Sequence, residues 1–247
     1  MSNDWVFDLG NTRLKFAPLR DAGVGEAQAL PHDARDWRRD LPHGDTAYLA
    51  SVAPSGLRVE LLDALSQRYR RVAIARTSRS FSGLHIAYAD PQKLGVDRFL
   101  AMLGAHRIVE SAVLVVGVGT ALTIDLVDAS GLHRGGRIAP SPTLMREALH
   151  RRAAQLPLAG GEYVEFANDT EAALASGCEG AAAALVERSL SEAARLLQST
   201  PVLLLHGGGS ESLRAHFRDA RHEPALVLRG LAAWAHALCG TPAVTAD

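Results

Sequence analysis

A short apolar run ending in glycine occurs twice in this chain, and that recurrence constrains the architecture more than any other feature. Val6-Phe7-Asp8-Leu9-Gly10 is echoed by Val115-Val116-Gly117-Val118-Gly119, and in each copy a threonine follows the glycine closely. Gly10 and Gly119 stand 109 positions apart in a chain of 247 residues, so the period is nearly half the length. A repeat of that size, each copy opening on a β-hairpin and running on into strands and helices, predicts a duplicated α/β architecture. We expect two lobes of mixed sheet flanked by helices. The N-terminal lobe is placed over 1–108 and the C-terminal lobe over 109–247, with the last helix free to pack across both.

Periodicity fills in the elements. Two apolar runs, 5–8 and 13–16, flank the Gly10-Asn11 turn and read as a hairpin. Strands are expected at 47–52 and 71–75. Leu57, Leu61, Leu62 and Leu65 recur at helical spacing and predict a helix over 55–69. Residues 20–45 show little periodicity, and 77–93 read as a loop. A helix is expected over 96–108, then strands at 112–116, 120–127 and 132–138. Helices follow at 141–155 and 170–198, the second weakened by Gly177 and Gly180. A strand at 201–205 precedes Gly207-Gly208-Gly209, a short helix and a final helix over 226–238.

Composition narrows the class. The chain holds 26 Lys+Arg against 27 Asp+Glu, a balance that argues against a dedicated nucleic-acid binder. Cys178 and Cys239 are too few for a disulfide framework or a Cys-rich zinc site, and their apolar helical surroundings read as core. No uncharged apolar run reaches the roughly 18 residues needed to span a bilayer, and the first residues lack a signal-peptide pattern. A cytoplasmic protein is the expectation.

Several segments can carry chemistry. Asp8-Leu9-Gly10-Asn11-Thr12 comes straight after a strand. Successive N–H groups in such a turn cradle phosphate oxygens, Thr12 adds a hydroxyl and Lys15 a cation, and Asp8 is suited to Mg²⁺ or its water shell. Taken alone, the segment reads equally as a plain hairpin whose Asp and Asn cap the turn. Gly117-Val118-Gly119-Thr120 offers a second glycine-plus-hydroxyl turn. Gly207-Gly208-Gly209 offers a third, which alone is more simply a flexible loop. None is a Walker loop, since no Gly-Lys-Ser/Thr follows. In Gly95-Val96-Asp97-Arg98, Asp97 falls in the first turn of a helix, where the dipole keeps a carboxylate ionised. It can there accept a proton from a substrate hydroxyl, while Arg98 offers a fork of donors to a carboxylate. On spacing alone, an ion-paired first-turn aspartate is the commoner reading. His150, beside Arg151 and Arg152, reads as part of a solvated face. His206 borders the glycine run, and no metal-binding histidine spacing occurs.

Asp8-Leu9-Gly10-Asn11-Thr12-Arg13-Leu14-Lys15 resembles the N-terminal phosphate motif of type III pantothenate kinases, and 91–98 resembles their Gly-x-Asp-Arg substrate motif. Gly119–Asp125, Gly135–Pro140, Asp169-Thr170, Gly207-Gly208 and Leu226–Leu231 match in the same order, so the resemblance covers nearly the whole chain. It implies RNase H-like lobes in an actin-like ATPase fold, a homodimer, and phosphorylation of pantothenate to 4′-phosphopantothenate by Mg-ATP held between the lobes. By match to the motifs, Asp8, Leu9, Gly10, Asn11, Thr12, Arg13, Leu14, Lys15, Gly119 and Thr120 would contact ATP. Tyr88, Gly95, Val96, Asp97, Arg98 and Thr170 would contact pantothenate. Asp97 would be the proton acceptor, Arg98 would hold the carboxylate, and Asp8 would help place Mg²⁺, contacting it through water.

The chain departs from the family pattern at two places. Most members resembling it carry Asp where Gly117 stands, and that carboxylate helps hold a monovalent cation, K⁺ or NH₄⁺. Glycine has no side chain to do so, which leaves activity without K⁺, K⁺ held through carbonyls, or reduced activity; we expect the first. An aspartate restored at 117 is then expected to introduce K⁺ stimulation. The second departure is His206-Gly207-Gly208-Gly209-Ser210, where Thr-Gly-Gly-Asp-Ala is frequent; backbone contacts to a nucleotide could persist there. The competing reading is an accessory, transcription-related relative without catalysis. Retention of Asp97 speaks against it, and near-neutral charge speaks against direct DNA contact. Another small-molecule kinase is the third reading, for which Arg98 favours an anionic substrate.

Overall fold

The computed structural model describes residues 3–21, 23–32 and 37–240. The chain forms two compact units, one comprising Met1–Ile108 with Ala225–Asp247 and the other Val109–Pro224.

The first unit is built on β1 (Trp5–Leu9), β2 (Arg13–Arg20), β3 (Gly23–Val24), β4 (Gln28–Pro31), β5 (Gly44–Ser51) and β6 (Tyr69–Ile74). They form one sheet in the order β3-β2-β1-β5-β6, with β4 also on β2. β1 and β2 are antiparallel, whereas β1, β5 and β6 run parallel. β1 sits at the centre, and Val6 and Phe7 point to opposite faces yet are both fully buried, as a strand covered on two sides requires. The rings of Phe7 and Phe16 stack at 5.7 Å, and α1 (Ser55–Ser66) covers them with Leu61 and Leu65. The segment read as a loop holds a small hairpin, β7 (Ser80–Phe81) with β8 (Leu84–His85). α2 (Val96–Ile108) follows.

The second unit repeats the plan. β9 (Val113–Val118), β10 (Ala121–Val127), β11 (His133–Pro140), β12 (Val202–His206) and β13 (Arg221–His222) are ordered β11-β10-β9-β12-β13. The first hairpin is again antiparallel and the crossover strands again parallel to the central one. β9 thus matches β1, and the sequence repeat is a repeat of topology. α3 (Pro142–Arg152), α4 (Thr170–Leu197) and α5 (Glu211–Arg214) complete this unit. α4 runs unbroken through Gly177 and Gly180, and its buried Ala182, Val186 and Ala193 close the sheet core.

α6 (Leu226–Gly240) belongs to the first unit, not to the second lobe where a division by sequence order put it. Its small residues are the physical reason. A Cβ at Gly230 would run into the carbonyl of Leu100, and one at Gly104 would stand 2.7 Å from the carbonyl of Leu226. α2 and α6 therefore cross backbone to backbone, which only paired glycines allow. Two smaller expectations also change. Cys239 is exposed rather than core, its thiol 3.3 Å from the Tyr48 hydroxyl. His150 is half-buried, with Nδ1 2.6 Å from the Leu156 carbonyl, so it ties down the chain after α3.

Candidate active site

The β1–β2 turn presents Asn11, Thr12 and Arg13 to solvent, while Leu9 and Leu14 on either side are fully buried. The two leucines anchor the hairpin in the core, so they meet a ligand only through backbone. The N–H of Gly10 donates to the Arg13 carbonyl at 3.1 Å. That bond closes the turn, with Asn11 and Thr12 at its exposed tip.

Asp8 lies opposite Lys15 across the hairpin. Burial raises its carboxyl pKa from 3.8 to about 7; Lys15 lowers it and the nearby Asp97 charge raises it further. Desolvation disfavours the ionised form, and a single lysine does not compensate. A carboxylate held in this way gains from a divalent cation, so the residues present fit Mg²⁺. Among the described residues no group of three or more metal-ligating side chains occurs. Mg²⁺ bound to a nucleotide needs only one or two carboxylates, its other positions being filled by water and phosphate oxygens.

Asp97 stands in the first turn of α2. The N–H of Phe99 donates to the Gly95 carbonyl at 3.1 Å, which starts the helix at Gly95. The Asp97 carboxylate folds back over that start: a Cβ at Gly95 would lie 2.5 Å from Asp97 Oδ1. The glycine of Gly-x-Asp-Arg is thus explained by space for the aspartate. Asp97 is half-buried and Arg98 is 6% exposed. Arg98 Nη1 donates to the Tyr88 hydroxyl at 3.2 Å, and its guanidinium lies 5.9 Å from the Tyr88 ring centre. A guanidinium so enclosed is oriented in advance, and its planar fork suits a carboxylate. Val96 opens the helix half-buried beside them. The first unit therefore brings together Asp8, Lys15, Tyr88, Asp97 and Arg98.

The remaining predicted site residues lie in the second unit. Gly119 and Thr120 are exposed in the β9–β10 turn, and a Cβ at Gly119 would meet nothing within 4 Å. Ser141 Oγ donates to the Thr120 carbonyl at 3.0 Å and accepts from the Leu144 N–H at 3.3 Å. One buried serine thus caps α3 and steadies the turn. Thr170 is exposed as the first residue of α4, next to Asp169, which caps that helix through the Ala172 N–H at 2.9 Å. The Gly207-Gly208-Gly209 loop is held rather than loose. Gly209 N–H donates to the Val118 carbonyl at 2.9 Å, and Ser210 Oγ donates to the Gly207 carbonyl at 2.7 Å. Gly207 has φ +93° and no room for a side chain against Val118. The two glycine turns at the carboxyl ends of β9 and β12 are therefore one bonded platform, at the sheet edge where α/β folds bind ligands.

A family model for type III pantothenate kinase matches residues 5–192. The chain belongs to the type III pantothenate kinase family. The type III pantothenate kinase of Stenotrophomonas maltophilia (strain R551-3) is 56% identical over 237 residues, 94% of this chain and 97% of the relative. Among solved structures, a candidate Baf family transcriptional activator from Campylobacter jejuni is 20% identical with a TM-score of 0.66, over 96% of this chain and 100% of that one. A candidate 2-dehydro-3-deoxygalactonokinase from Sinorhizobium meliloti is 13% identical with a TM-score of 0.57, over 96% and 99%. These likenesses show the fold alone, the mixed α/β fold of mixed sheets flanked by helices that the sequence led us to expect. Within the pantothenate kinase frame, sequence reasoning missed Ser141 and the part played by Gly230, which serves helix crossing. Ser141 directly before Pro142 was legible as a helix cap, but its bond to Thr120 was not.

Proposed function

We propose that this chain transfers the γ-phosphoryl group of ATP to the primary hydroxyl of pantothenate, giving 4′-phosphopantothenate and ADP, the first step of coenzyme A biosynthesis. The observation that carries the reading is the clustering, in one unit of a pantothenate kinase family member, of an oriented Arg98, a half-buried Asp97 and the Asp8–Lys15 hairpin.

Phosphoryl transfer needs positioning and charge neutralisation more than covalent help. Arg98, fixed by Tyr88, receives the pantothenate carboxylate and so sets which end of the substrate faces Asp97. Asp97 accepts the hydroxyl proton as the oxygen attacks phosphorus. The Asn11 and Thr12 N–H groups and the Lys15 ammonium receive phosphate oxygens, and Gly119 and Thr120 add a second set. Asp8 would help hold Mg²⁺ through its water shell, and the cation would supply positive charge against the phosphates. Gly95 and Val96 contribute the helix start that aims Asp97, and Thr170 lines the pantothenate pocket by match to the motif.

We place the protein in the cytoplasm, in keeping with its membership of a small-molecule kinase family. The chain acts as a homodimer. Support comes from an apolar groove along α3 and α4 in the second unit, lined by Leu144, Met145, Leu149 and Leu174, with Leu149 44% exposed. Leu149→Glu is expected to shift the species seen by light scattering from dimer to monomer.

ADP release with MgATP and pantothenate tests the activity. Pantothenate-dependent turnover supports it. A folded chain that binds ATP without turning over would refute it and favour an accessory role.

A further inference from the structure

The second unit carries a feature that phosphoryl transfer alone does not explain: a glycine near the carboxyl end of its most buried strand. Gly117 is buried in β9, flanked in register by Thr123 of β10 and His206 of β12. The three residues form one row across the sheet, at the end that carries both glycine turns. A Cβ at Gly117 would stand 2.7 Å from His206 Nε2, 2.9 Å from His206 Cε1 and 2.7 Å from Thr123 Oγ1. Real Cβ atoms do not come that close, so the imidazole lies in the space that a side chain at 117 would take. A glycine inside a strand costs stability and marks a close approach of another group; here that group is the His206 ring.

This placement decides the fit of a monovalent cation. Hard cations are held by several oxygens, carboxylate and carbonyl foremost. The row offers a hydroxyl and an imidazole nitrogen, and no carboxylate can enter at 117 while His206 stays where it is. We propose that this chain has no monovalent-cation site at Gly117, and that Gly117 and His206 are one coupled pair. The glycine admits the imidazole, and the imidazole fills the room a carboxylate and its cation would need. His206 is a positioning residue, packed directly before the Gly207–Gly209 loop. The earlier expectation for an aspartate at 117 changes accordingly: Gly117→Asp alone does not create a K⁺ site, because His206 already stands there.

The inference rests on the kinase reading for only one of its readouts. Full-length protein is compared in potassium chloride and in tetramethylammonium chloride at equal ionic strength, by melting temperature, MgATP affinity and turnover. The expected result is a melting temperature within 1–2 °C and an affinity and turnover within about twofold in the two salts, a change too small to signal a bound ion. A gain of about tenfold with K⁺ in affinity or turnover would overturn the proposal. Absent turnover in both salts, with K⁺-insensitive melting, would sink the kinase reading and leave this one standing. The pairing is tested with Gly117→Ala, His206→Ala and the double variant. Gly117→Ala is expected to lower the melting temperature in the wild-type background and to lower it less once His206 is alanine, the contact with Thr123 Oγ1 then being the one that remains. Equal shifts in both backgrounds would refute the coupling.

Discussion

Asp8 offers the sharpest test of the reading, because its cost to the empty protein and its use in the loaded one have the same origin. Replacing it with asparagine keeps the shape and removes the ionisation. The folded-state carboxyl titrates at about 7 against an ordinary 3.8. Below 3.8 the proton is bound in both folded and unfolded chains, and the group is neutral to stability. Between 3.8 and about 7 the folded chain keeps a proton that the unfolded chain releases, so wild-type stability falls as pH rises. Above 7 both forms are ionised and the penalty is complete. At 1.36 kcal/mol per pH unit the full penalty is about 4 kcal/mol, of which about 1.6 kcal/mol is already present at pH 5. Asp8 keeps part of its surface in water, and screening there reduces the rise between pH 5 and 8 to ~1–2 kcal/mol. Urea unfolding of nucleotide-free wild type and Asp8→Asn at pH 5, 6, 7 and 8 measures it. The variant should gain on wild type by that amount as pH rises, and should bind MgATP more weakly. A stability difference that stays flat across the range would refute the account of a carboxylate buried in wait for a cation.

Three further perturbations separate the roles. Asp97→Asn should lower kcat by about 10²–10⁴-fold, the usual worth of a general base, with MgATP affinity unchanged by calorimetry; normal turnover would remove Asp97 as the base. Arg98→Ala should raise KM for pantothenate by about 10- to 100-fold, the loss of a charged hydrogen-bonded partner, while KM for ATP stays put; equal effects on both would count against a carboxylate receptor. Gly230→Ala should destabilise by ~1–3 kcal/mol or more, because the new methyl meets the Leu100 carbonyl across the helix pair, and a melting curve matching wild type would show that α2 and α6 can separate at no cost.

The parts of the fold that were legible in the sequence are those whose burial follows a period. β1 and β9 are central strands with apolar residues on both faces, and α2 carries Phe99, Leu100 and Leu103 through its whole length. The limits of β1 and α2 follow from local pattern, whereas β9 runs on past the expected 112–116 and takes Gly117 and Val118 out of the expected turn, because β10 and β12 pair with it there. β4, by contrast, exposes Gln28, Ala29 and Pro31 and half-buries Leu30. It is a strand only because β2 offers it an edge, so no alternation marks it. β3 and β7–β8 are two residues each, too short for any period to register. The unit to which α6 belongs is set by glycines on two helices more than 120 positions apart in sequence, a match visible only once the helices lie against each other.

The candidate site divides along the same line. Asp97 and Arg98 were readable because a helix start imposes a local chemistry: the dipole, the free N–H groups and the side-chain spacing all follow from a few neighbouring residues. Gly117 was readable only as an absence, a missing carboxylate, and that reading led to the expectation that putting it back would restore a cation response. Register supplies what the sequence could not. β9 and β12 are parallel, and the strand pairing places His206 level with Gly117, although 89 positions separate them in the chain. Two departures that look independent in sequence occupy one volume in space. A substitution at either then has to be judged with the other in place, since the room for a carboxylate at 117 depends on the ring at 206 rather than on residue 117 alone.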